Sequence, residues 1–224
     1  MRHSLLLVAL FCLAPLATVY AEEKQAAELK SPPPADMLSA EIAETLSPTG
    51  VKITEGEKTV AEFWFRKEWP IKPGFTPSAS VLYPFNQGEL IGVVRFGSSG
   101  EDFRMQQFRK GVYTIRYGQQ PVDGNHVGTS DTLDFLLLLP AKKDTGVANL
   151  DPFKMVTLST EVSGSTHPAI LSMLAMTDAE AKLPAVAHDS NREFYSLQVS
   201  NPAKADGEAK PLKIEFVFDG HSPE

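Results

Sequence analysis

The chain is almost devoid of cysteine: of its 224 residues one is Cys, at position 12. That excludes a disulfide scaffold and a thiolate zinc centre, each of which needs several thiols. Basic residues are also in deficit. With 21 Lys+Arg against 28 Asp+Glu the formal net charge is −7, and no Lys/Arg-rich run offsets it. This is the wrong sign for a nucleic-acid binder, so neither DNA nor RNA is an expected partner. Beyond Leu16 no apolar stretch approaches the ~20 residues of a spanning helix, and no membrane span is expected in the mature chain. Asn-X-Ser/Thr acceptors are missing at Asn86, Asn125, Asn149, Asn191 and Asn201. So are Gly-X-Ser-X-Gly, Ser-X-X-Lys, His-Glu-X-X-His and phosphate-loop motifs, which removes the motif-bearing enzyme classes. A chain of this length with 42% hydrophobic residues can carry a core without a cofactor.

What is present begins with an export signal. Met1 to Ala21 has a basic start at Arg2, an apolar run from Leu5 to Leu16, and Val19-Tyr20-Ala21 ahead of Glu22. This is the layout of a secretory signal peptide, with cleavage expected between Ala21 and Glu22. Cleavage removes Cys12, which follows Phe11 inside the apolar run and is no lipidation site. Cysteine-free export without glycosylation acceptors points to a bacterial envelope, with the protein periplasmic or secreted. Residues 22–48 contain Pro32-Pro33-Pro34 and read as a solvated tether, leaving one domain over residues 49–220. Within the tether, Ser39 to Leu46 has the pattern of a short helix, with Ser39 as N-cap and Ile42 and Leu46 on one face.

From Val51 onward the pattern is that of strands. Val51 to Thr54 and Val60 to Phe65 flank the turn-forming Glu55-Gly56-Glu57-Lys58 as a hairpin. Further runs are Ser80 to Tyr83, Glu89 to Phe96, Val112 to Tyr117, Leu133 to Leu139, Met155 to Thr160, Phe194 to Val199 and Leu212 to Phe218. About nine short strands predict a mostly β, antiparallel β-sandwich, immunoglobulin-like or jelly-roll-like. Phe135 to Leu139 is apolar at every position, so both its faces should be covered. In Leu212 to Phe218, Ile214, Phe216 and Phe218 share one face and Lys213 and Glu215 point to water. Ala169 to Leu183 fits a helix face and a strand face equally.

Gly111-Val112-Tyr113-Thr114-Ile115 has the spacing of a tyrosine corner, in which the Tyr hydroxyl bonds backbone a few residues upstream. The run from Gln119 to Asp134 is a long polar connection, whose ordering must be offset by internal hydrogen bonds, a ligand or packing. Its Asp123, Asn125 and Asp131 supply hard oxygens suited to calcium or another divalent ion, and His126 adds a transition-metal ligand. Asp123, Asp131 and His126 are therefore the candidate metal ligands. The same residue types also cap backbone amides within ordered loops. Trp69, beyond the Val60 to Phe65 strand, is a candidate stacking platform for a sugar or a strip covering a sheet edge.

The residues Gly111 to Gly118, Pro121-Val122-Asp123-Gly124-Asn125-His126 and Asp134-Phe135-Leu136-Leu137-Leu138 resemble an uncharacterised family of exported bacterial proteins. The resemblance spans roughly Trp64 to Pro140. It implies export and a β-rich domain and brings no activity, cofactor or catalytic residue. Taken together, the expected function is a non-catalytic binding or interaction module of the envelope. Its partner is an envelope protein or glycan, and Asp123, Asn125, His126, Asp131 and Trp69 are the candidate contacts. The alternative is a metal-dependent or carboxylate-based hydrolase, in which Asp123, His126 and Asp131 converge with His167 or His188.

Overall fold

The protein is described by a computed structural model over residues 23–102, 106–123, 126 and 130–220. The signal segment and Asn125 lie outside the described residues. In chain order the strands are β1 (Lys24–Leu29), β2 (Gly50–Glu55), β3 (Lys58–Phe65), β4 (Trp69–Pro70), β5 (Leu90–Phe96), β6 (Gly100–Glu101), β7 (Gln107–Phe108), β8 (Gly111–Gln119), β9 (Asp134–Pro140), β10 (Ile170–Leu174), β11 (Ala185–Asp189), β12 (Phe194–Lys204) and β13 (Lys210–Asp219). Two α-helices, α1 (Ala40–Thr45) and α2 (Pro152–Ser163), lie among them.

The antiparallel, mostly β class is as expected, and the strands outnumber the expected nine and lie mostly in one sheet. One continuous sheet runs β1-β2-β3-β5-β8-β9-β10-β13-β12-β11, with β4 pairing β12 in parallel, while β6 and β7 form a separate hairpin. The hand-over is at β10, where Ile170, Leu171 and Ser172 pair with β9 and Met173 and Leu174 pair with β13. Register shifts in the β2–β3, β5–β8 and β12–β13 pairings add the local twist that curls the sheet into a nearly closed barrel. At the seam, Lys24 of β1 reaches Asp219 of β13 at 3.0 Å and Glu55 at 3.2 Å, and its ammonium lies 4.0 Å from the centre of the Tyr195 ring. Within the expected tether, Lys24–Leu29 supply a barrel strand and α1 packs on the outer wall.

Strand alternation fills the barrel. Phe63, Phe65, Ile115, Tyr117, Leu136, Leu138, Phe216 and Phe218 all point into one buried cluster. Phe63 meets Phe216 from the far wall with ring centres 5.5 Å apart, so side chains of opposite walls pack against each other across the interior. The intervening residues face outward and are covered in turn. Trp64, Leu90 and Val93 lie under Ile42 of α1, whose N-terminus is capped as expected by the Ser39 hydroxyl accepting from Ile42 N–H at 3.2 Å. Phe135, Leu137 and Leu139 lie under Met155 of α2, which is why β9 reads as apolar on both faces.

Met155 to Thr160, expected as a strand, is the middle of α2. Its β-branched residues are overridden by the helix ends: Asp151 accepts from Lys154 N–H at 3.0 Å, Pro152 opens the first turn, and Gly164 closes the last at φ 63°. Met155, Ser159 and Val162 then share the buried face. Ser80 to Tyr83 is likewise no strand. It belongs to a plug across one barrel mouth, in which Trp69 meets Phe85 edge to face at 5.5 Å and Phe85 meets Tyr117 at a tilt at 5.4 Å. The Tyr83 hydroxyl donates to Leu174 C=O at 2.5 Å and accepts from Glu215 N–H at 3.1 Å, bridging β10 and β13.

Two carboxylates are buried on the outer wall. Asp144 receives two guanidinium bonds from Arg116 of β8, at 2.6 and 2.8 Å, and the Thr114 hydroxyl at 2.6 Å. Glu215, expected on a wet face, is fully buried. It accepts from Thr177 N–H at 2.7 Å, the Ser196 hydroxyl at 2.6 Å and the Gln198 amide at 2.9 Å, because the segment after β10 folds over that face. The Tyr113 hydroxyl donates to Arg109 C=O at 2.7 Å, the upstream bond expected of a tyrosine corner, here within a barrel.

Candidate functional site

The 119–134 loop springs from the plugged mouth, between the end of β8 and the start of β9, and both its roots are fixed. Gln120 N–H donates to Leu133 C=O at 2.8 Å, and Leu133 N–H donates to Ser80 C=O at 2.7 Å. Beneath them Asp134 is fully buried, accepting the Tyr117 hydroxyl on one oxygen and Leu82 N–H at 2.6 Å on the other. The Thr132 hydroxyl donates to Met173 C=O at 2.9 Å. A long connection is thereby ordered at its base by backbone and side-chain bonds, the internal compensation its length requires.

Above the roots, Asp123 and His126 meet, Oδ1 to Nδ1 at 2.6 Å, and the Gln120 amide donates to His126 C=O at 2.9 Å. Beside them Val122 is 89% exposed. That residue was not legible as a contact, although a β-branched apolar side chain between Pro121 and Asp123 in a polar loop is an unusual placement. Asp131 is turned elsewhere: it accepts from Arg192 of the β11–β12 turn at 3.0 Å, and Arg192 also holds Asp189 at 2.9 Å. The structure therefore joins Asp123 to His126 and gives Asp131 to an arginine. Among the described residues no group of three or more His, Cys, Asp or Glu is arranged to hold a metal. His188 is stacked flat on Tyr195 with ring centres 4.2 Å apart, and His167 sits in the turn after α2, where its C=O accepts from Ser163 at 2.5 Å.

Trp69 is fully buried, its indole N–H donating to Ile91 C=O at 2.9 Å and its ring set edge-on to Phe65 and Phe85. Tyr83 is 5% exposed. Neither ring offers a face to solvent, so neither can stack on a sugar from outside.

Burial holds the Asp134 carboxyl above the usual carboxylate range despite its hydrogen bonds, and does the same to Glu89 against the pull of Arg66 and Arg116. A folded-state pKa above the unfolded value means the folded protein binds more protons in that window, so stability falls as pH rises through it. The expected result is a melting temperature at pH 5 above that at pH 7. Calorimetry at the two pH values checks it, and a lower midpoint at pH 5 rejects the assignment. The lowered pKa of Asp189, which arises from its bonds to Arg192, acts only below the ordinary Asp range and does not enter this window.

Among the described residues, no helix is long and apolar enough to cross a membrane. Comparison with family models, with curated proteins and with solved structures finds no match to this chain.

Proposed function

We propose that this is an exported bacterial envelope protein that works as a non-catalytic binding module, its contact surface being the tip of the 119–134 loop. The observation that carries the reading is the contrast between the loop's pinned roots and its tip. A barrel packed across its interior gives rigidity, and a loop held at both ends presents Val122 beside the Asp123–His126 pair to an envelope protein or glycan. Burying an exposed valine against a partner contributes about 1.5–3 kcal/mol, with the polar Asp123–His126 pair beside it to set orientation. Export is supported by the signal-like layout of the Met1 to Ala21 segment.

The test places a photo-crosslinking amino acid at Val122 in the full chain expressed in a bacterial envelope, with the same group at exposed Glu180 as reference. A discrete adduct to an envelope protein or to the sacculus from position 122, weakened by His126→Ala and absent from position 180, is expected. Equal capture at the two positions, or none at 122, overturns the reading.

The hydrolase reading retains one observation, the 2.6 Å contact that orients His126 by Asp123. It is separated by thermal melts of residues 22–224 after chelation and with calcium, zinc or manganese restored. A binding module without a metal shows no change. A rise with one ion, lost in Asp123→Ala, replaces it with the metal-dependent alternative.

A further inference from the structure

At the barrel end opposite the 119–134 loop, the β2–β3 turn, the connection after β5 and the last residues of β13 frame a cleft of about 350 Å³. Its floor is apolar, formed by Val60, Phe96 and Phe218, and its rim is polar. The rim acceptors are Glu55, Glu101 and Asp219, and the donors are Lys58, Ser98 and Ser99. Lys24 is committed to the seam, where Glu55 and Asp219 hold it. By contrast, the side chains of Lys58, Ser98 and Ser99 make no hydrogen bond or ion pair to other described residues.

The charges decide the ligand class. An anion entering the cleft meets three carboxylates, and a cation finds each of them already supplied with a donor, Glu55 and Asp219 by Lys24 and Glu101 by the Gln107 amide at 3.3 Å, with the Lys58 ammonium beside them. A neutral molecule carrying both donors and acceptors satisfies this mixed rim without an uncompensated charge. A sugar ring has that character, with hydroxyls around its edge and an apolar C–H face to lay on the floor. The volume lies at the small end of ordinary ligand sites, room for a single residue. We infer that this mouth of the barrel is a binding subsite for one neutral sugar residue, free or at the end of a glycan, with Lys58, Ser98 and Ser99 bonding its hydroxyls. The site is separate from the loop tip, and the two stand or fall independently.

The test is amide chemical-shift titration of residues 22–224 with glucose, galactose and N-acetylglucosamine, with glycine betaine and benzoate as zwitterionic and anionic comparators. Saturable shifts at residues 58 and 98–101 with at least one sugar are expected, at millimolar affinity. Lys58→Ala should weaken them roughly fivefold and Ser99→Trp, which fills the cleft from an exposed position, should abolish them. Val122→Asp should leave them unchanged. No saturable shift with any of the three sugars, or tighter binding of betaine or benzoate, overturns the proposal. Two cleft variants with unaltered melting temperatures make the loss readable as lost binding.

Discussion

Asp144→Ala is expected to lower stability by about 3–5 kcal/mol, the cost of leaving a buried charge without its partner. Arg116 is fully buried on the outer face of β8, and all five of its N–H donors are used. Nε and Nη2 bond Asp144, Nη1 bonds Gly88 C=O at 2.7 Å and Ala148 C=O at 2.8 Å, and Nη2 also bonds Gly146 C=O. The arrangement depends on Gly88, at φ 81°, where a Cβ would stand 2.0 Å from Leu150 C=O. No other residue lets the 144–150 segment approach closely enough to cover the arginine. Removing the carboxylate leaves the guanidinium with neutral carbonyls alone, and the melting temperature should fall by roughly 10 °C for a domain of this size. Exchanging both members, Arg116→Met with Asp144→Leu, should recover much of the loss, since a well-packed apolar pair avoids the desolvation of both charges. Calorimetry of the single and double variants decides the point. A single variant within about 1 kcal/mol of the parent would show that this network is solvated.

Trp69→Ala is expected to cost a comparable 3–5 kcal/mol and to leave saccharide and envelope binding unchanged in whatever fraction remains folded. The ring joins Phe65, Phe85 and, through Phe85, Tyr117 in the plug, while its N–H satisfies Ile91 C=O inside the barrel. Trp69→Phe separates the two contributions. It keeps most of the apolar volume and removes one of the two hydrogen bonds to the Ile91 carbonyl, which still accepts from Arg66 N–H at 3.1 Å, so a loss of about 0.5–1.5 kcal/mol is expected. Chemical denaturation of both variants measures the stabilities, and the sugar titration measures the binding. A stable Trp69→Ala protein that has lost sugar binding would reverse the assignment and return Trp69 to the role of a ligand platform.

Trp69 also shows where reading from sequence reaches its end. Its position after a strand and before Pro70 is compatible with an exposed platform and with a buried edge, because nothing local says what will lie against it. The segment that follows returns across the mouth and sets Phe85 against it. Asp131 is a similar case. It shares a loop with Asp123 and His126, yet Arg192, 61 positions away, draws it out of any common site. Val122 and the cleft beneath the β2–β3 turn were invisible for the same reason, since exposure and cavities arise where distant segments meet or fail to meet.

Local patterning was sufficient for much else. The alternation of Ile214, Phe216 and Phe218, the fully apolar run at Phe135 to Leu139, the Ser39 cap and the upstream bond of Tyr113 all follow from periodicity and spacing within a few residues, and each appears in the structure. Such patterns determine which face of an element must be covered. They do not determine what covers it. Whether Glu215 faces water or Thr177, whether Lys24 begins a tether or the first strand of a barrel, and whether Met155 to Thr160 is extended or helical depend on contacts between residues far apart in the chain. Non-local pairing and packing energies exceed the few tenths of a kcal/mol per residue that separate local conformational preferences. The amino-acid sequence by itself determined an antiparallel β protein with a long polar loop, and the tertiary structure alone decided that its sheet curls into a nearly closed barrel, that side chains of opposite walls meet inside it, and that Val122 is exposed at one end and a cleft lies at the other.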